Sequence, residues 1–257
     1  APTAEIQPEP RRNRYDLATA IGVVREMETS IGRTNVFEEI KAKNPVYRLV
    51  DRLYTLAGSR FFQPLILFAY MLKCAVSLGP FDDKDAEAVA ISQFDNEHRT
   101  IERIAAVAGN VCRMRPRLGR KHIGTGFMPA ARIASALAFY MRFSRLFAGR
   151  PGLSAAIVAS NYSPEAVGMA AAAHRHGRRV IYSNHAPVPA NGTVVPPVYA
   201  DCALFYGAET TQTYQRRSAC TAEVGYIGQP GTARTMEWRE AIETVGIFLT
   251  SGTKVDV

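Results

Sequence analysis

Residues 154–187 read SAAIVASNYSPEAVGMAAAAHRHGRRVIYSNHAP, and the fold follows from them. An apolar run, Ala155–Ala159, ends in the polar corner Ser160-Asn161. A helix start comes next: Ser163 is placed to cap, Pro164 suits the first helical position, and Glu165 favours the positive helix end. The helix is small-faced through Ala166, Gly168 and Ala170 to Ala173, so it can lie close to a sheet. Gly177 stands where a left-handed C-cap belongs. Arg178-Arg179 lead into a second apolar run, Val180–Tyr182, which ends in another polar corner, Asn184-His185. The pattern predicts a β-α-β unit with parallel strands, which puts both corners at the carboxyl ends of neighbouring strands, where open α/β sheets hold ligands.

Working outward, the same alternation runs from about residue 86 onward. Ala86–Phe94 reads as a buried strand, Asp95 as the cap of a helix from Asn96 to Ala108, and Gly109-Asn110 as its end. Asn110–Met114 reads as a strand, and Met128–Ala148 as a helix whose apolar face holds Ile133, Leu137, Tyr140, Met141 and Leu146. Beyond the central unit come a strand at Cys202–Tyr206, a helix at Ala208–Arg217 and a strand at Glu223–Ile227. Gly228-Gln229-Pro230-Gly231 is a hard stop, followed by a short helix around Arg234–Ile242 and an apolar strand, Val245–Leu249. The predicted class is α/β, a Rossmann-like doubly wound parallel sheet preceded by a helical extension. The expected divisions are a disordered tail over 1–14, a helical extension over 15–80, the sheet domain over 81–240, and the opening of a second domain over 241–257.

The extension holds the most apolar stretch, Phe61–Leu78, which contains Gln63, Pro64 and Lys73. Its uncharged part falls short of the ~20 residues that span a bilayer, so a buried or interfacial helix is expected. The opening residues are Pro-rich and charged with no apolar signal core, and the four cysteines make no CxxC pair. Both features point to reduced, mostly buried thiols in a cytoplasmic protein. The net charge of +8 is concentrated: residues 97–150 hold eleven Lys/Arg against Glu97 and Glu102. Such a segment suits an anionic partner or forms a solvated basic face. Few aromatics sit among its arginines, so nucleic acid is not the expected partner.

The residues that follow the predicted strands share one crevice if the sheet is parallel: Gln93 and Asp95, Ser160 and Asn161, Asn184 and His185, Gly207 and Glu209, Gly228 and Gln229. Asn161 and Asn184 suit sugar hydroxyls. His185 either accepts a proton near neutral pH or is bonded into its own turn. His174 and His176 are expected on the exposed end of a helix, His122 in a basic loop, and His98 in the first turn of its helix. No HExxH, Cys/His set or close Asp cluster occurs, so no metal site is expected. Gly124-Thr125-Gly126 lacks the full dinucleotide fingerprint. Ser251-Gly252-Thr253-Lys254 lacks the glycine spacing of an ATPase loop, yet it follows a strand and could meet a phosphate.

The succession AIVASNYSPEAVGMAAAAHRHGRRVIYSNHAPV, ADCALFYGAETTQTYQRR and AEVGYIGQPG resembles the second half of the N-terminal domain of GT-B glycosyltransferases. It is closest in flavour to bacterial capsular and surface-polysaccharide transferases and CDP-glycerol glycerophosphotransferase-like enzymes; UDP-N-acetylglucosamine 2-epimerases share the architecture. The positions that carry the likeness are His185-Ala186, Tyr206-Gly207 and Ile227-Gly228-Gln229-Pro230, with Ala186 where glycine is usual. The resemblance covers about residues 86–257. It implies an acceptor-binding first domain and a second domain for the nucleotide-sugar donor, of which Val245–Lys254 looks like the opening. The chain alone is therefore expected to be inactive for want of most of a donor site.

The function so implied is an inverting GT-B glycosyltransferase of bacterial surface or capsular polysaccharide synthesis. It implies His185 as base, Ser160, Asn161, Asn184 and Glu209 around the acceptor, and Thr250, Ser251, Gly252 and Lys254 at the donor phosphates. A nucleotide sugar is a substrate, and no cofactor or metal is expected. Residues 15–80 and 97–150 are expected to hold the enzyme peripherally at the inner face of the membrane, where lipid-linked acceptors reside. The rival readings are a sugar-nucleotide epimerase and a non-catalytic membrane-associated scaffold.

Overall fold

The computed structural model describes residues 15–30, 43, 45, 48–49, 52, 59–78, 81, 83–92, 95–114, 128–184, 196–216, 220 and 222–228. Its elements in chain order are helices α1 (Leu17–Ser30) and α2 (Ser59–Leu78), strand β1 (Ala88–Ile91), helix α3 (Asp95–Ala108), β2 (Val111–Met114), α4 (Met128–Gly149), β3 (Ala155–Val158), α5 (Pro164–Arg175), β4 (Arg179–Ser183), β5 (Cys202–Phe205), α6 (Ala208–Arg216) and β6 (Glu223–Tyr226). The six strands form one sheet in the order β2-β1-β3-β4-β5-β6, with every pairing parallel. The predicted α/β class and parallel sheet are therefore present, and each predicted strand within the described residues forms with its ends in place or moved by at most three residues. The predicted tail over 1–14, and the helix, strand and second-domain opening over 231–257, lie outside the described residues.

Around β1 and β3 both faces of the sheet are covered, which is why those strands are apolar runs rather than alternating ones. All four residues of β3 are buried. On one face Val89, Ile91, Ala156, Val158, Val180, Tyr182, Ala203 and Phe205 meet α4, α5 and the Tyr214 ring of α6. On the other, Ala90, Val111, Ile157 and Ala159 pack under Ile101, Ile104 and Ala105 of α3. The chain leaves β1 towards β2 and returns past it to β3, so the direction of winding reverses between β1 and β3.

Helix α5 is set by local signals at both ends. The Ser163 hydroxyl accepts from the Ala166 N–H, and Pro164 occupies the first turn. At the far end Gly177 takes φ +67°, and the Arg178 and Gly177 N–H groups donate to the Ala173 and His174 carbonyls, closing a Schellman motif. Every residue from Pro164 to His174 is buried. Gly168 shows why the face is small: a Cβ there would lie 2.5 Å from the Ala136 carbonyl oxygen and 3.0 Å from the Tyr140 nitrogen of α4. The small face thus brings α5 against α4 backbone to backbone, in addition to the predicted contact with the sheet.

The expected exposure of His174 is corrected. It is 7% exposed because the chain entering α1 lies over it. The Tyr15 N–H donates to His174 Nδ1 at 2.9 Å, so the proton is on Nε2, which donates to Asp201 Oδ2 at 3.2 Å. The same Asp201 oxygen accepts the Val180 N–H at 2.7 Å, and the Tyr15 ring stacks on Tyr199 at 4.7 Å. This network staples the N-terminal helix to the amino-terminal edge of the sheet. His176, half-buried rather than on an open surface, pairs through Nε2 with Ser144 Oγ at 2.7 Å. All four cysteines are free thiols as expected, although only Cys74 is buried and the other three are half-buried.

Helix α2 continues through Pro64 and turns Tyr70, Met71, Cys74 and Leu78 inward. No helix among the described residues is long and apolar enough to cross a membrane.

Candidate functional site at the carboxyl edge of the sheet

Parallel strands of one sheet end on the same side, so Ser92 after β1, Ser160-Asn161 after β3, Asn184 after β4 and the Gly207–Glu209 corner after β5 share the carboxyl edge. Ser160 shapes the β3 corner: its Oγ accepts the Ser163 N–H at 3.1 Å and the Tyr162 N–H at 3.4 Å. Asn161 Nδ2 donates to the Pro196 carbonyl at 2.6 Å, which ties the corner to the segment that leads into β5. Its side chain also hydrogen-bonds the Tyr214 hydroxyl. The Tyr214 and Tyr182 hydroxyls are 3.4 Å apart, and the Asn184 side chain bonds Tyr182 in turn. Asn161, Tyr214, Tyr182 and Asn184 therefore form one buried chain of polar groups across β3, β4 and α6. Burial first, then the neighbouring Tyr214, raises the Tyr182 hydroxyl well above the usual tyrosine range, so both phenols stay neutral. Among the described residues nothing hydrogen-bonds Ser183 Oγ or Asn184 Oδ1, both buried.

Of the predicted site residues, the sheet brings Ser160, Asn161 and Asn184 together, while Glu209 is exposed in the first turn of α6, further along the same edge. Ser160 and Asn161 are engaged in shaping the corner rather than turned out to solvent. His185 follows Asn184 directly but lies outside the described residues, as do Gln93, Gln229, Gly124–Gly126, and the proposed phosphate loop with Thr250, Ser251, Gly252 and Lys254. The crevice between α5, β3 and β4, lined by Tyr15, Ser160, Asn161, Tyr182 and Tyr199, measures about 10 Å³. That is room for about one water molecule, so a sugar would have to lie over this rim rather than inside it.

A second cluster occupies the point where the winding reverses, the place at which doubly wound sheets most often hold ligands. Helices α3 and α5 begin at the carboxyl edge after β1 and β3, and three charged side chains are buried: Glu97, Arg132 and Glu165 are 3%, 8% and 4% exposed. Burial pushes the Glu165 carboxyl up to about 7; the Arg132 guanidinium draws it down against that push, and Glu97 adds to it. From α2, Lys73 is lowered chiefly by burial and raised by Glu165, and Tyr70 is raised chiefly by burial. Ser92 Oγ lies 3.5 Å from His98 Nδ1 at the same corner, and His98 Nε2 is 3.6 Å from Glu102. A carboxyl that is half-protonated near neutral pH exchanges protons readily, which is the property sought in an acid–base site.

Reading the sequence gives Glu165 only as a helix-start residue and passes over Glu97, Arg132, Tyr182 and Tyr214. A signal was present. Arg132 shares a helix face with Ala136, Phe139, Phe143 and Phe147, and Glu97 shares one with Ile101 and Ile104, so each charge sits on an apolar stripe. Among the described residues no group of three or more His, Cys, Asp or Glu side chains is arranged to hold a metal ion. Comparison with protein-family models, with characterised proteins and with solved structures finds no match to this chain.

Proposed function

We propose that this sheet is the acceptor-side domain of an inverting GT-B-type glycosyltransferase that works at the cytoplasmic face of a bacterial membrane in surface-polysaccharide assembly. The observation that carries the reading is the Asn161–Tyr214–Tyr182–Asn184 chain. It fixes two neighbouring polar corners on the carboxyl edge, one residue before His185. In this reading His185 accepts the proton of an acceptor hydroxyl. The freed oxygen attacks the anomeric carbon, and the bond to the nucleoside diphosphate breaks with its electron pair going to the phosphate. Asn184 and Glu209 orient the acceptor from neighbouring corners, Ser160 and Asn161 hold the rim in shape, and the 250–254 loop with Lys254 meets the departing phosphates. Glu165, poised near neutral pH at the adjoining corner, suits a site that handles protons there.

The test is transfer from a nucleotide sugar by the full-length protein and its His185→Ala variant. The proposal expects loss of at least about a hundredfold in rate, the usual contribution of a positioned base. A variant within a few-fold of the parent removes His185 from the mechanism, and turnover of the nucleotide sugar without any acceptor replaces the transferase with an epimerase.

A further inference from the structure

Among the described side chains of α2, those turned outward are apolar. Leu65, Phe68, Leu72 and Val76 are 55%, 68%, 58% and 77% exposed, and Ala69 between them is exposed as well. Spaced by three and four residues, they form one stripe along the helix, directly opposite the inward-facing Tyr70, Cys74 and Leu78. Single exposed apolar residues are ordinary, but a continuous stripe of this length marks a contact surface. Among the described residues nothing packs on it.

The charge of α2 and of the segment before it in sequence indicates what does. Residues 41–78 hold six Lys/Arg, at 41, 43, 48, 52, 60 and 73, against Asp51 alone. Lys43, Arg48 and Arg52 are exposed, as is Leu49 beside them at 57%. Lys73 flanks the stripe and lies 5.2 Å from the Tyr70 ring centroid. Helix α2 itself contains no acidic residue. An apolar ridge flanked by Lys73 and preceded in sequence by exposed cations, on a helix unable to span a bilayer, matches the surface that lies in the headgroup region of an anionic membrane.

We propose that the outer face of α2, through Leu65, Phe68, Leu72 and Val76, seats the protein on an anionic lipid surface, with Arg48 and Arg52 of the preceding segment meeting the headgroups. The inference rests on the reading above to the extent that this face would bring the site to a lipid-linked acceptor. Lipid binding is nonetheless read without transfer, so either idea can fail while the other stands.

The experiment is sedimentation of the full chain with phosphatidylcholine vesicles, with and without phosphatidylglycerol, at low and high salt. The parent is expected to pellet with the anionic vesicles and to be released by salt. Phe68→Glu with Leu72→Glu should weaken partitioning at least about tenfold. Arg48→Glu with Arg52→Glu should abolish the preference for phosphatidylglycerol. Val107→Glu alters an exposed apolar residue of α3 that is 91% accessible and should bind as the parent does, and circular dichroism verifies that each variant is folded. A parent that stays in the supernatant with every vesicle overturns the proposal, as does a Phe68→Glu/Leu72→Glu variant that pellets undiminished. A parent that is dimeric in solution, indifferent to vesicles and made monomeric by that pair, assigns the stripe to a second copy of the chain instead.

Discussion

Replacing Glu165 by glutamine tests the buried cluster at the winding reversal through its energetics. The carboxyl is held at about 7 instead of its ordinary 4.5, with desolvation as the main cause. The folded protein therefore keeps a proton that the unfolded chain releases, and stability falls as pH rises from the unfolded value through the folded one. That difference corresponds to roughly 3 kcal/mol, fully present in acid and lost above the folded pKa. Between about pH 5 and about pH 8 the parent should lose about 2–3 kcal/mol through this group alone. Glutamine mimics the protonated acid, so Glu165→Gln should match the parent near pH 5 and exceed its stability by about 2–3 kcal/mol near pH 8. Urea unfolding of both proteins at the two pH values measures this directly, as a shift in midpoint at constant slope. Parallel behaviour of parent and variant across that range would refute the burial of an ionisable Glu165.

Further expectations concern the frame that positions the site. Gly168→Ala puts a methyl group 2.5 Å from the Ala136 carbonyl oxygen and should cost about 1–3 kcal/mol in thermal or urea unfolding; an unchanged Tm would mean that α4 and α5 do not meet so closely. Asp201→Ala removes the acceptor of both His174 Nε2–H and the Val180 N–H and should cost about 2 kcal/mol or more, with faster hydrogen exchange at Val180 as the local readout. Tyr182→Phe deletes the hydroxyl shared by Tyr214 and Asn184. It should cost about 1 kcal/mol while leaving the unfolding slope unchanged.

Where the sequence was legible, the signals were local. Ser163, Pro164 and Gly177 mark the ends of α5 by capping chemistry that acts within a few residues. The flanking runs Ala155–Ala159 and Val180–Tyr182 are short and apolar, the mark of buried strands. Strand order was not legible in the same way. That β1 lies between β2 and β3 is a long-range fact, and it moves the winding reversal, with Glu97 and Glu165, away from the β3–β4 corners on which the sequence concentrates attention. Burial of individual charges is equally non-local: of the eleven basic residues in 97–150, Arg132 is enclosed because α4 starts against α2 and α5. His174 misleads for the converse reason. A histidine beside a C-terminal glycine looks exposed until Tyr15, distant in sequence, is laid across it.

If ligands meet this protein along the carboxyl edge of its sheet, hydrogen exchange in the presence of saturating nucleotide sugar and acceptor glycan will show it. Slowed exchange is predicted at the corners around Ser92, Tyr162–Ser163 and Asn184, with the opposite edge around Ser154 and Arg178–Arg179 unaffected. Slowing confined to that opposite edge, or none anywhere in the sheet, would contradict it.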